Sequence, residues 1–500
     1  MMRRAALAFK YRSTTSCDAT ALAGLPLYLE LAHVLGLRDV LAKELGEARS
    51  PDGWAPADVV LTLVLLNLVG GESVDDIRLL HRDEGLCRLM DRITLLGSSR
   101  RERRAARRRR RGRSAFPSAS AVRRLLDRFH GAEQEPVRTP GRAVLVPEHE
   151  LLRGLWRANA KLLARLQRHR PLRQATLDVD ATLIKTHKAQ ALPCYKGYKA
   201  FQPLNFFVAE WCTVLYSHFR DGNVPCGYRQ LKSLQRALEL VPAGIVHLFV
   251  RMDTQGYEWE LLRWMAEGRS KRFGVIHFMV GAVVTAELKR AIAAVPERHW
   301  HDLPARPGAP RQQWAEVCYV PNEVARTKHG PHYRFLVTRE ALVQQPLAGL
   351  QLELPFPTQE FAGLGHYKVY AAVTNMSGDG AELIAWHRKR CGKSEEAHSV
   401  MKRDLAGGRL PSKRFGANAA WWAIVVLALN LNEMMKRLAL GAKWVSRRLK
   451  AVRAHLICVA GRVVEHGRQV LIRIGSGHAS QQLIAAVRAR ILALLPEPAG

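Results

Sequence analysis

Three short stretches carry residues whose types and spacing could do chemistry. In Leu177–Asp178–Val179–Asp180–Ala181–Thr182 two acids alternate along a strand-like run, so Asp178 and Asp180 share one face. In Val250–Arg251–Met252–Asp253 an acid closes an apolar run, and Thr254–Gln255–Gly256–Tyr257 then opens a helix. In the stretch from His387 to Lys402 (HRKRCGKSEEAHSVMK), Glu395 and Lys402 stand two helical turns apart, with His398 and Ser399 on the same face. A carboxylate inside an apolar strand is costly to bury alone. Acids from three separate elements, with no cluster of Cys or His, suit a hard divalent ion such as Mg²⁺. Two such ions about 4 Å apart can activate a nucleophile and stabilise the leaving oxygen in phosphodiester transfer, while Lys402 holds a phosphate. Plainer readings stand beside these. Asp253 also suits the N-cap of the helix after it, and the stretch around Glu395 also suits a salt-bridged surface helix.

These residues need elements to position them. Ala175–Ile184 reads as a strand, Leu204–Glu210 and Thr213–Phe219 as two more, and Ile245–Met252 and Phe273–Val280 as buried strands. Tyr228–Leu240, Tyr257–Glu267 and Ala286–Val295 read as the helices between and after them. Three strands followed by alternating helices and strands predict an α/β mixed sheet. Acids at the strand ends of such a sheet lie where open α/β sheets place their sites. Residues 297–375 carry Pro, Gly and short strand-like pieces (Glu316–Val320, Tyr333–Thr338, His366–Thr374) and read as a β-rich insertion. Glu382–Leu405 and Asn418–Ala439 read as long helices, and Leu456–Ile474 as a hairpin within a basic tail.

Upstream, residues 20–95 read as helical, over Ala21–Leu45, Pro56–Asn67 and Asp75–Met90. Arg100–Arg113 is a run of like charge, which alone is disordered. Pro117–Ser118–Ala119–Ser120 offers a cap for a helix over Ala121–His130, Pro136–Pro147 reads as a linker, and Glu148–Gln167 as another helix.

The charge balance narrows the partners. The 500 residues carry 77 Lys+Arg against 44 Asp+Glu, a formal net of +33. That excess points to a polyanion or an anionic membrane. The apolar stretches Val59–Val69 and Ala419–Leu431 fall short of the roughly 20 residues that span a bilayer, so no membrane partner is expected and nucleic acid leads. The eight cysteines are scattered without a Cys-x-x-Cys pair, which predicts neither a zinc ribbon nor a disulfide framework and fits a reducing cytoplasm.

Taken with Lys196–Gly197–Tyr198 and Pro203–Leu204, with Gly256–Tyr257, and with Ala406–Ser412 and Phe415–Trp421, the three stretches resemble the transposases of bacterial insertion sequences. These have a DDE catalytic domain on an RNase H-like fold, and the similar branch carries a β-strand insertion between the second Asp and the Glu. The resemblance covers roughly residues 170–435. It implies an RNase H-like core over 171–296 and 376–440, the insertion over 297–375, a helical DNA-binding region over 1–170 that includes the Arg-rich loop 100–113, and a basic C-terminal region over 441–500. It implies a catalytic triad of Asp180, Asp253 and Glu395 holding two Mg²⁺ (or Mn²⁺) ions, with Asp178 as an alternative or additional metal ligand. The related Tyr-x2-Arg-x3-Glu-x6-Lys signature fits at Glu395 and Lys402. Its Arg and Tyr positions fall on Cys391 and Arg388, so Arg388 or Arg390 supplies the phosphate contact from a shifted place. The implied activity is endonuclease cleavage of double-stranded DNA at terminal inverted repeats and strand transfer into target DNA, by a homodimer on DNA in the cytoplasm, at the nucleoid. Trp300 and Trp314 could stack on an extruded base or simply fill a core. Two rival readings are a nuclease on the same fold without strand transfer, and a decayed, non-enzymatic DNA-binding protein.

Overall fold

A computed structural model describes residues 18–47, 53–93, 114–305, 308, 310–321, 333–342, 356–466, 469–475, 477 and 479–495. The Arg-rich run lies outside the described residues.

The N-terminal region is helical, but in shorter pieces than its composition suggests. After a two-residue strand β1 (Ala19–Thr20) come α1 (Pro26–Val34), α2 (Leu37–Leu45), α3 (Pro56–Val69), α4 (Arg78–Arg82) and α5 (Glu84–Ile93). The expected helix over Ala21–Leu45 breaks at Gly36, and the one over Asp75–Met90 breaks at Asp83, whose carboxylate caps the next helix through Leu86 N. Helix α6 (Ala119–Asp127) is capped by Ser118, which accepts from Ala121 N. Helix α7 (Glu150–His169) leads into the sheet.

The sheet strands are β2 (Gln174–Ala181), β5 (Leu204–Val208), β6 (Thr213–His218), β7 (His247–Met252) and β8 (His277–Ala282), with β3 (Ile184–Lys185) and β4 (Ala200–Phe201) forming a small hairpin off the end of β2. Helices α8 (Gln230–Leu238), α9 (Trp259–Ala266) and α10 (Ala286–Ala293) intervene. The order is β6-β5-β2-β7-β8. Strands β2, β7 and β8 are parallel, and β5 and β6 run antiparallel beside them. The protein is therefore a mixed α/β structure built on a large mixed sheet.

The β-rich region does not form a separate sheet. Its strands β9 (His301–Asp302), β10 (Gln312–Val317), β11 (Arg334–Ala341), β12 (Thr358–Phe361) and β13 (Gly365–Thr374) continue the core sheet, because β13 pairs antiparallel with β8. The result is one ten-stranded sheet. Sequence periodicity finds strands but cannot say which edge they join.

Helices α11 (Gly380–Arg388) and α12 (Lys393–Ser399) follow, then a π-turn over Val400–Asp404 and the central helix α13 (Phe415–Met434), itself extended by π geometry over Met435–Leu440. The combined span Phe415–Leu440 is long and apolar enough to cross a bilayer, which the shorter reading of Ala419–Leu431 missed. Here it is a core helix: every residue of α13 is buried. It packs against α3, α6, α7 and β6. Gly416 allows its first turn to touch α6, since a Cβ there would lie 2.1 Å from Phe129 O. Two buried amides finish the β6 edge, a place where unpaired backbone groups need partners. Asn430 accepts from Val214 N and donates to Val214 O, and Asn159 donates to Val214 O and Leu215 O.

The basic C-terminal region holds α14 (Ala442–Val445), α15 (Leu449–Val452), the expected hairpin as β14 (Gly461–His466) and β15 (Gln469–Ile474), and α16 (Ser480–Leu492). It docks onto the N-terminal helices. Strand β14 pairs with β1, and Arg453 donates to Leu68 O and Asn67 O. The stretch expected to be a linker, Pro136–Pro147, holds no helix or strand and is mostly exposed, but it is anchored at two buried residues, Arg138 and Val146. Arg138 within it is buried, bonded to both oxygens of Asp221 and set over the rings of Phe201 and Phe415.

Candidate active site

Strands β2 and β7 are paired in parallel as far as Val179 opposite Met252. The next residues in register are Asp180 and Asp253. They therefore sit at neighbouring strand ends, with backbones about 4.8 Å apart. Asp253 also caps the turn that follows, its Oδ1 accepting from Gln255 N at 2.9 Å. The capping reading thus holds without removing the acid from the site, because one carboxylate can do both. Burial, reinforced by the negative charge of Asp253 and opposed by Arg390, pushes the Asp180 carboxyl up to about 6.

Asp178 shares the β2 face with Asp180, but it is not free to bind a metal. It is wholly buried, and Arg251, its cross-strand neighbour on β7, takes both its oxygens at 2.6 and 2.8 Å. The same guanidinium donates to Trp386 O at 2.6 Å and lies over the Trp386 ring. The expectation of Asp178 as a metal ligand is corrected accordingly. The carboxylate neutralises a buried arginine, which in turn fastens α11 to β7. His387 makes a second tie between the same elements, its Nε2 2.9 Å from Met252 O. Burial drives His387 down to about 4, so it stays neutral.

The helix expected over Glu382–Leu405 is interrupted. Between α11 and α12 the chain turns at Gly392, at φ +89°, in the left-handed region that side chains disfavour. The interruption explains why the Tyr-x2-Arg-x3-Glu spacing fails. The arginine facing Asp180 is Arg390, with Nη1 3.7 Å from Asp180 Oδ2, and it stands in the turn between the helices. Arg388 closes the last turn of α11. Helix α12 turns Ser394, Ala397 and His398 inward. Ser394 Oγ lies 3.4 Å and His398 Nδ1 3.9 Å from the same Asp180 oxygen. Lys402 sits in the π-turn, a geometry frequent at functional sites. Its Nζ is 3.5 Å from Leu183 O, close enough to Asp180 for the two charges to interact. Burial lowers its pKa, and the charge of Asp180 counters that.

Glu395 is exposed on the neighbouring face of α12. Among the described residues no group of three or more His, Cys, Asp or Glu side chains could together hold a metal ion. The fold thus brings together Asp180, Asp253, Arg390 and Lys402, and leaves Glu395 beside them. Asp180 and Asp253 fit a hard cation: they are oxygen donors on adjacent strands, and the repulsion between them is relieved by a positive charge.

A prediction follows from the raised Asp180 pKa. A carboxyl whose folded pKa lies above its unfolded value stabilises the fold fully below the unfolded value. That contribution is lost as pH rises through about 6. Without metal, Asp180→Asn is expected to be more stable than the wild type at pH 7.5, by up to about 3 kcal/mol. The gap should close towards pH 4, and added Mg²⁺ should narrow it by stabilising only the wild type. Denaturant unfolding at several pH values measures this. A variant no more stable at pH 7.5 would show that the acid pair is not strained.

Sequence reading missed the polar residues beneath Asp180. Asn205 on β5 is its cross-strand partner, and Ser217 and Trp422 lie behind Asn205. The available signal was single polar residues within the apolar runs Leu204–Val208 and Thr213–His218. In the insertion, Trp300 is a core residue. Arg339 stacks on it at 4.2 Å and also faces the rings of Phe361 and Tyr367. Trp314 is half-buried and packs against Gly380.

The site thus consists of paired acids at the ends of central parallel strands, with Arg390 and Lys402 near Asp180. The chain belongs to the family described as transposase DDE domain group 1, whose family model matches residues 13–496. It is a DNA transposase, and domains of this family generally use divalent metal ions. No curated protein matches the chain. Among solved structures, it is similar to the cryo-EM structure of a piggyBac transposase synaptic complex with hairpin DNA, at 9% identity and a TM-score of 0.36, covering 96% of this chain and 80% of that one.

Proposed function

We propose that this transposase cuts the terminal inverted repeats of a bacterial insertion sequence and joins the freed 3′ ends to target DNA. The observation that carries the reading is the register of β2 and β7, which sets Asp180 and Asp253 side by side with Arg390 and Lys402 at the same sheet end. The proposed RNase H-like core is supported by a mixed sheet in which antiparallel β5 and β6 flank the parallel strands β2, β7 and β8.

In this reading Asp180 and Asp253 hold Mg²⁺ or Mn²⁺, and Glu395 joins them to complete a two-ion site. Glu395 adjoins Ser394 on α12, whose Oγ lies 3.4 Å from Asp180 Oδ2. The bound ions supply charge neutralisation on the bridging oxygens and a more acidic water. Lys402 and Arg390 would hold the DNA backbone at the reacting phosphate. The N-terminal helical region, its Arg-rich run and the basic C-terminal region bind DNA flanking the cut, mainly through phosphates and so with strong salt dependence. The enzyme works as a homodimer bridging two ends, in the cytoplasm at the nucleoid.

Incubation with paired-end DNA and a target plasmid in Mg²⁺ tests this. Joined products carrying both ends are expected. Cleavage without joining would leave a nuclease, and binding without either would leave a decayed DNA-binding protein.

A further inference from the structure

A continuous chain of buried hydrogen bonds that no catalytic step uses directly ends at His398, beside Asp180. Trp422 Nε1 donates to Ser217 Oγ at 2.7 Å, and Ser217 Oγ donates to Asn205 Oδ1 at 2.6 Å. Asn205 Nδ2 faces His398 Nε2 at 3.0 Å. All four side chains are buried. The direction of this chain follows from its far end. An indole can only donate, so Ser217 accepts there, and with the Asn205 amide turned so that Oδ1 faces Ser217, the hydroxyl proton goes to Asn205 Oδ1. The amide then presents its NH₂ to His398, whose Nε2 must accept. The single ring proton is thereby placed on Nδ1, the nitrogen that faces Asp180 Oδ2 at 3.9 Å. Ser394 Oγ at 3.4 Å and Arg390 Nη1 at 3.7 Å approach that same oxygen. These three groups converge on the one oxygen, Oδ2 of Asp180.

We infer that His398 is a positioning residue: the buried chain from Trp422 fixes it as the Nδ1–H tautomer, and with Ser394 and Arg390 it holds one Asp180 oxygen so that the other meets the metal. The inference rests on the reading of Asp180 as a metal-binding acid. Partners of this kind behind a ligand fix its orientation, and their loss typically weakens metal binding about 10- to 100-fold. The site gains aim without gaining charge, because a neutral imidazole does not compete with the cation. At 3.9 Å the Nδ1–H is short of a full hydrogen bond. A small turn of the carboxylate closes it, and the metal's pull on the opposite oxygen favours that turn.

Two near-isosteric variants separate the halves of the histidine. His398→Asn keeps an N–H donor near the Nδ1 position and gives up the contact to Asn205. His398→Gln keeps an acceptor for Asn205 and presents nothing to Asp180. Mn²⁺ binding to the full-length protein without DNA, measured by calorimetry, is expected to weaken about tenfold or more in His398→Gln and less than about threefold in His398→Asn. Cleavage by His398→Gln should recover at saturating metal. Equal effects of the two variants, or none, would overturn the inference and reduce His398 to a packing residue. A measurement on the wild type guards against misfolded variants. With selectively ¹⁵N-labelled histidine, the His398 resonances should show a protonated Nδ1 and an unprotonated Nε2, and the reverse pattern overturns the inference. Asp180→Asn is the control for the underlying reading. If that variant binds Mn²⁺ as the wild type does, the triad assignment itself fails and the inference falls with it. If Asp180→Asn loses binding while His398→Gln does not, only the inference fails.

Discussion

Asp180→Asn and Asp253→Asn should each lower cleavage at element ends by at least about a thousandfold, about 4 kcal/mol of transition-state stabilisation, while DNA binding stays intact or tightens slightly. The binding half of that outcome follows from charge: each change removes a negative group from a site that faces phosphates. Glu395→Gln is the sharper test, because Glu395 stands exposed beside the acid pair in the protein alone. It should match the two aspartate variants in activity, yet leave metal-free stability unchanged, since its carboxylate has no buried strain to release. Gel shifts on end DNA and strand-cleavage assays in Mg²⁺ read both quantities. If Glu395→Gln cleaves normally while both aspartate variants are inactive, the third acid is another residue, with the neighbouring Glu396 first in line. If Asp253→Asn is active, Asp253 is a turn cap and nothing more.

The second large effect concerns stability. The Asp178–Arg251 pair is buried at 0% and 3% side-chain exposure, and it also carries the tie from β7 to Trp386. Removing one member leaves the other charged and unpaired inside the protein, which typically costs about 3–5 kcal/mol. Arg251→Met and Asp178→Leu are each expected in that range by chemical denaturation. The double variant should recover much of the loss, because a buried ion pair replaced by apolar groups of similar size is often close to neutral. A cost below about 1 kcal/mol for Arg251→Met would mean that the pair is solvated. The same variants decide the role of Asp178. If Asp178→Asn loses metal affinity while keeping wild-type stability, Asp178 is a ligand after all; the structure predicts the opposite pattern.

Much of the site is legible in sequence. Alternation along Leu177–Thr182 placed Asp178 and Asp180 on one face of one strand. The apolar run ending at Asp253 marked the second strand and its end. Both rest on local periodicity, which side-chain hydrophobicity writes directly into the chain. The core strands were readable for the same reason. The helix after the insertion was less so. Its residues repeat at helical spacing on both sides of Gly392, and nothing in that spacing says that the chain turns there and hands Arg390, not position 391, to Asp180.

What the tertiary structure alone decided is which acid pairs with what. Asp178 and Asp180 look equivalent in sequence, two residues apart on the same face. They part ways because strand β7 arrives in a register that puts Arg251 opposite Asp178 and Asp253 beside Asp180. Register is a long-range choice, set by packing across the whole sheet. The same holds for the insertion, whose strands were visible one by one while their attachment to β8 was not. It holds again for Asn205, Ser217 and Trp422, each an ordinary polar or aromatic residue until the fold lines them up behind His398. The sequence by itself determined the paired acids and the two strands whose ends carry them. The pairing that leaves Asp180 open and closes Asp178 depends on contacts between residues far apart in the chain, where local periodicity carries no information.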